Sequence, residues 1–154
     1  MNPSSKSRFQ GAHFDSSAQP LLPSILVVDD DPAVLEMLQD ALDLWGFDVF
    51  LAKNGQEGLH VLANQKVDGI LLDMDMPVMD GLTMLDELRW LGHSMPVVIM
   101  SGGLKRLDQK QLAKEGAQAY VSKPFSLSFL RDVCMTIFEN QGETVTADDG
   151  VHVA

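Results

Sequence analysis

Basic residues are scarce in this chain: 11 Lys and Arg stand against 22 Asp and Glu, for a formal net charge of −11. That deficit argues against direct nucleic-acid binding, which needs a concentrated basic face to neutralise phosphates. It suits divalent cations, or a partner with a basic docking patch. Cysteine occurs once, at Cys134, so neither an intrachain disulfide nor a multi-cysteine zinc site can form. Set among Val133, Met135 and Ile137, that thiol reads as a small buried group rather than a reactive one. No apolar run approaches the roughly 18–20 residues of a membrane span, and the N-terminus lacks the apolar segment of a secretory signal. The expectation is a cytoplasmic protein with no membrane partner.

What is present suits one domain. With 154 residues, 45% of them apolar and 21% charged, the chain can close a single core of ordinary composition. Residues 1–23 are rich in Ser, Pro, Gln and Gly and read as a disordered tail, and 141–154 as a second, flexible one. The folded unit is expected over 24–140, with no internal repeat and no separate output domain.

Within it, short apolar runs alternate with helical patterns. Ile25–Val28 is a continuous β-branched run too short for a helix. Asp31 then caps a helix whose first turn admits Pro32 and whose apolar positions run from Val34 to Trp45, ending at Gly46. Asp48–Ala52, Gly69–Leu72, Pro96–Met100 and Ala119–Val121 read as further strands. Helices are expected from Asn54 to about Asn64, along a stripe of Leu82, Leu85, Leu88 and Leu91, over Leu107–Glu115, and after Ser126 with Leu130, Val133, Cys134 and Ile137 inward. Short continuous strands alternating with helices imply an α/β fold, a doubly wound parallel sheet covered on both faces.

In such sheets ligands gather at the carboxyl ends of the strands. Strand one ends at Asp29-Asp30, strand three at Asp73, strand four at Ser101 and strand five at Lys123. Topology can therefore bring three carboxylates, a hydroxyl and an ammonium to one rim. Clustered carboxylates invite a hard divalent ion, and Mg2+ is the one expected. An Asp in that setting can accept a phosphoryl group, whose oxygens the metal, Lys123 and Ser101 would share.

The segments LVVDDDP (Leu26–Pro32), LLDMDMPVMDG (Leu71–Gly81), PVVIMSG (Pro96–Gly102) and YVSKPF (Tyr120–Phe125) resemble, in this order, the receiver domain of two-component response regulators. The resemblance covers about Ile25 to Asn140. It implies a flavodoxin-like fold, five strands in the order 2-1-3-4-5 with five helices. It also implies phosphorylation of Asp73 by a sensor histidine kinase or histidine phosphotransfer protein. Asp30 and Asp73 would bind Mg2+ directly, with the backbone carbonyl of Asp75 as a third ligand and Asp29 acting through a metal-bound water. Ser101 would be the switch hydroxyl, Tyr120 the coupled aromatic, Lys123 the phosphate-pairing cation, and Pro124 a cis-proline that aims it. Pro77 and Gly81 match the loop after the acceptor.

Two features depart from many relatives: Gly102-Gly103 after the switch hydroxyl, and the acidic Asp75 beside the acceptor, expected to alter phosphoryl lifetime. Such a domain is not a turnover enzyme. It would signal to a downstream protein whose identity the residues leave open, through its own surface or through a phosphorylation-dependent homodimer. A basic strip of Lys105, Arg106, Lys110 and Lys114 on the fourth helix reads equally as docking site or solvated face. Two other readings stand. LLDMDMPV also resembles the DxD motif of haloacid-dehalogenase-type phosphatases, with Asp73 nucleophile and Asp75 acid/base, although the final acidic pair of those enzymes has no counterpart at a strand end. The fold can also serve as a phosphorylation-independent interaction module.

Overall fold

Five apolar runs become five parallel strands because each supplies side chains to both faces of one sheet. The computed structural model describes residues 22–103 and 108–139, and 152–153 as a short strand. In chain order the elements are β1 (Ser24–Val28), α1 (Pro32–Leu44), β2 (Asp48–Ala52), α2 (Gly55–Asn64), β3 (Gly69–Asp73), α3 (Gly81–Trp90), β4 (Val97–Ser101), α4 (Gln109–Glu115), β5 (Ala119–Ser122) and α5 (Leu127–Cys134). A π-helical stretch, Met135–Glu139, continues α5, and His152–Val153 forms β6. The sheet order is β2-β1-β3-β4-β5-β6; the first five are parallel, in the expected 2-1-3-4-5 order, and β6 runs antiparallel to β5. Residues 152–153 fall in the stretch expected to be a tail. The rest of that stretch and residues 1–21 lie outside the described residues, as do Lys105 and Arg106 of the expected basic strip.

The two-residue period of a strand sorts the core into two layers. Leu26, Val28, Ile70, Leu72, Val97 and Ile99 face α2, α3 and α4, where they meet Leu62, Met84, Leu85, Leu88 and Leu112. Ile25, Val27, Leu71, Val98, Met100 and Val121 face α1 and α5, meeting Leu35, Leu38, Leu42, Leu130, Val133 and Cys134. Cys134 is buried, and burial pushes its thiol up to about 12, so it stays an unreactive packing group.

Each helix starts on a side-chain cap, which fixes where every strand-to-helix loop turns. Asp31, Asn54, Asp80, Asp108 and Ser126 accept backbone N–H groups of Ala33, Glu57, Thr83, Gln111 and Phe129, and Pro32 occupies the first turn of α1. Asp108 and Gln111 form a reciprocal capping box.

Two expected inward positions move. On α3 the buried set is Gly81, Met84, Leu85 and Leu88, while Leu91 is 54% exposed. At about 100° per residue, Leu91 lies half a turn away from Leu82, so a stripe spaced by threes cannot hold one face. After α5, the wider π turn puts Phe138 in the core, with Ile137 only half-buried. The Phe138 ring meets Phe47 edge-on, centroids 6.3 Å apart. It also lies against Gly69, where any Cβ would collide with it.

Arg89 ties the end of α3 to the end of α4. Its Nε and Nη2 donate to Gly116 O at 3.1 and 2.6 Å, and Nη1 donates to His93 O and Met95 O, both at 2.9 Å. These carbonyls terminate helices or loops and lack strand partners. Arg89→Met is expected to lower stability by about 2 kcal/mol, because a methionine leaves them unpaired. Urea denaturation should show a lower midpoint with an unchanged slope.

Candidate functional site

The carboxyl ends of β1, β3, β4 and β5 converge as topology requires. Among the described residues, the buried polar or charged side chains are Asp29, Asp73 and Ser101, and all three stand at this rim. Asp29 follows β1 and is fully buried; its N–H donates to Ala52 O at 3.1 Å, while its Oδ1 accepts the Asp31 N–H at 2.9 Å. Asp73 is the last residue of β3 and 4% exposed. Ser101 closes β4, and the Lys123 N–H donates to its carbonyl at 2.8 Å, pinning the loop after β5 to the same rim. Lys123 precedes a cis peptide bond to Pro124.

The Lys123 ammonium is the cation of this cluster. Nζ lies 2.6 Å from Asp29 Oδ2 and 3.4 Å from Asp73 Oδ1, closer to Asp29 than to the expected acceptor. Burial alone would lower the lysine pKa, but the hydrogen bond and charge of Asp29, joined by Asp73, raise it above its ordinary value. Asp73 is raised from 3.8 to about 6: burial is the first cause and Asp29 repulsion the second, against the opposing pull of Lys123 and the Asp75 N–H. Near neutral pH the group is ionised, yet held in surroundings that resist its charge.

Asp29, Asp30 and Asp73 each offer a carboxylate oxygen within 4.8 Å of the others. Oxygens around Mg2+ at about 2.0–2.1 Å lie roughly 3–4 Å from one another, and three carboxylates gathered within 4.8 Å come close to that spacing. The hard-oxygen chemistry and the spacing both fit the ion. Asp75 is not in that carboxylate group. Its N–H reaches Asp73 Oδ1 at 3.5 Å, and its Oδ2 accepts the Ser101 hydroxyl at 3.4 Å.

The loop after Asp73 is shaped by backbone crowding. Gly81 opens α3 directly over the end of β3, where a Cβ would collide with Asp73 O, and its N–H donates to Met74 O at 3.1 Å. Val78 is 79% exposed at φ 70, in a tight turn closed by Met79 N–H to Pro77 O at 2.8 Å. A valine after proline carries no sequence signal for that conformation. Tyr120 is 1% exposed and belongs to the core layer that holds Leu112 and Ile99, on the α4 side of the sheet. It pairs in register with Ile99, two residues before the Ser101–Ser122 pair.

Comparison with known proteins agrees with this geometry. The response regulator receiver domain family matches residues 25–135. The transcriptional regulatory protein PrrA of Mycobacterium tuberculosis is 36% identical over 125 residues, 81% of this chain and 54% of that protein. The response regulator MprA of Mycobacterium sp. strain KMS is 39% identical over 106 residues, 69% of this chain and 46% of that protein. The chain thus spans about half the length of the curated relatives it matches. A CheY-like receiver domain from Methanospirillum hungatei superposes with a TM-score of 0.72 at 28% identity, covering 78% of this chain and 96% of that one. A chain of the CheX–CheY–BeF3–Mg complex of Borrelia burgdorferi gives 0.70 at 26% identity, over 75% and 89% of the two chains. A parallel sheet in this order, with its buried carboxylates and lysine at the carboxyl rim and a family match over most of its length, makes the chain a member of the response regulator receiver domain family.

Proposed function

We propose that this receiver accepts a phosphoryl group on Asp73 from a phosphohistidine donor, a sensor kinase or histidine phosphotransfer protein, and relays that event to a partner protein. The observation carrying this reading is the burial of ionised Asp73 between Asp29 and Lys123, with its pKa pushed up to about 6. A carboxylate oxygen of Asp73 attacks phosphorus, the P–N bond breaks, and its electron pair returns to the donor imidazole. The Lys123 ammonium, within reach of both Asp29 and Asp73, is placed to pair with the phosphoryl oxygens as their charge moves onto Asp73. Asp29, Asp30 and Asp73, with the Asp75 carbonyl, would hold Mg2+, which when bound shares the negative charge of acceptor and phosphoryl group. The Borrelia complex holds Mg2+ and BeF3 together with CheX and CheY, which supports Mg2+ as the ion here.

Ser101, its hydroxyl buried, then gains new acceptors in the phosphoryl oxygens. Tyr120, on the adjoining strand and facing α4, couples that movement to the face formed by α4, β5 and α5. To move a two-state equilibrium from about 1:99 to 99:1, modification must favour the active state by roughly 5.5 kcal/mol. The net charge of −11 supports a protein rather than a nucleic acid as the reader of that face.

Incubation with Mg2+ and acetyl phosphate is expected to add one phosphoryl group, which peptide mass spectrometry places on Asp73. A folded protein left unmodified by both acetyl phosphate and a phosphorylated kinase overturns the proposal. Sustained hydrolysis of a phosphomonoester would restore the phosphatase reading.

A further inference from the structure

The Ser101 hydroxyl has one proton to give. Its oxygen already accepts the Gly103 N–H at 3.1 Å, and the residue is 2% exposed, so water cannot readily take the proton. The acceptor in place is Asp75 Oδ2, 3.4 Å away. We propose that the Asp75 side chain is a latch: it holds the Ser101 hydroxyl, and through it the Gly102-Gly103 loop, in the resting arrangement, and so competes with the phosphoryl group for the switch. This inference rests on the reading of Asp73 as acceptor and adds a restraint to it.

The competition follows from donor arithmetic. A serine hydroxyl donates once, so turning toward phosphoryl oxygens on Asp73 gives up the bond to Asp75. The latch is a weak one, since 3.4 Å is long for an O–H···O bond and Asp75 is exposed. A weak restraint of this kind can set the resting bias without blocking the switch. The loop travels with the hydroxyl because the Gly103 N–H bonds to Ser101 Oγ. A Cβ at Gly103 would stand 3.4 Å from that oxygen and 3.7 Å from Asp75 Oδ2, so carboxylate, hydroxyl and loop backbone are mutual neighbours. Asp75 is therefore a positioning residue that acts through Ser101.

An alternative effect must be separated from this one, since a carboxylate beside the acceptor also repels an incoming phosphoryl donor by charge alone. A double-mutant cycle of Asp75→Ala and Ser101→Ala makes the separation. In unmodified, Mg2+-free protein, Asp75→Ala should shift the Gly103 amide resonance and speed its hydrogen exchange roughly three- to tenfold. Asp75→Asn, whose side-chain oxygen still accepts a hydrogen bond, should fall between the two. In the Ser101→Ala background the Asp75 substitutions should leave Gly103 exchange unchanged. Acetyl phosphate labelling should show the same pattern, with a larger gain from Asp75→Ala when Ser101 is present.

Equal gains in both backgrounds, or a Gly103 amide indifferent to Asp75, would overturn the latch and leave only a field effect. The amide measurement involves no phosphoryl chemistry. A wild-type protein that fails to label therefore sinks the acceptor reading without obscuring the result at Gly103.

Discussion

Asp73→Asn is expected to make the protein inert and sturdier at the same time. Phosphoryl labelling should disappear, because the amide lacks the nucleophilic carboxylate. Stability should rise near neutral pH, because the wild-type charge is forced into a buried position beside Asp29. The direction follows from linkage. The folded pKa of Asp73 lies above its unfolded value, so the native state holds the proton more tightly. The contribution of Asp73 to native stability is then most favourable below about pH 4, falls as pH rises through the interval from 3.8 to about 6, and remains at the lower level above it. A shift of that size corresponds to about 3 kcal/mol. The asparagine variant should lack this fall, outlasting wild type in urea at pH 8 by as much as about 3 kcal/mol and matching it more closely at pH 4. Added Mg2+ should narrow the gap at pH 8. A wild-type protein that gains stability between pH 4 and 6, with no such change in the variant, would contradict the electrostatic account of the pocket.

Lys123→Ala should work in the opposite sense. Its ammonium is 2.6 Å from fully buried Asp29 and 3.4 Å from Asp73, and its loss leaves two carboxylates facing each other without a protein cation. Breaking a buried pair costs about 3–5 kcal/mol. Lys123 keeps 25% of its side chain in solvent, so a loss of about 2–3 kcal/mol is expected here. Asp29→Asn added to Lys123→Ala should return most of it, since the stranded charge is then gone. Phosphoryl transfer should fall roughly a hundredfold in the single variant, the scale of losing one aimed donor at a developing charge. Denaturation of both variants and labelling rates at fixed Mg2+ test the two halves separately. A Lys123→Ala protein as stable as wild type would place the lysine at the surface of the problem, not at its centre.

The pocket was legible because of where strands end, not because of any single residue. Continuous runs such as Ile25–Val28 and Gly69–Leu72 announce strands buried on both sides, and parallel topology then delivers Asp29, Asp73, Ser101 and Lys123 to one rim. Which carboxylate the lysine prefers was not legible, since strand spacing says nothing of the 0.8 Å by which Asp29 is nearer (3.4 against 2.6 Å). The contact of Asp75 with Ser101 joins the loop after β3 to the end of β4, which no periodicity relates. Arg89 had no signal either: a charged residue on a helix reads as solvated, and its carbonyl partners become available only once two helix ends meet. The pairing of 152–153 with β5 depends on an open sheet edge, which a polar stretch of sequence does not reveal.

The place of Phe138 bears on where this domain should be cut. The family match ends at residue 135, whereas the ring lodges three residues further on, in the notch left by Gly69 and against Phe47. A fragment trimmed to the family's outline would keep every group at the rim and yet draw a plug from beneath β3, the strand that carries the acceptor.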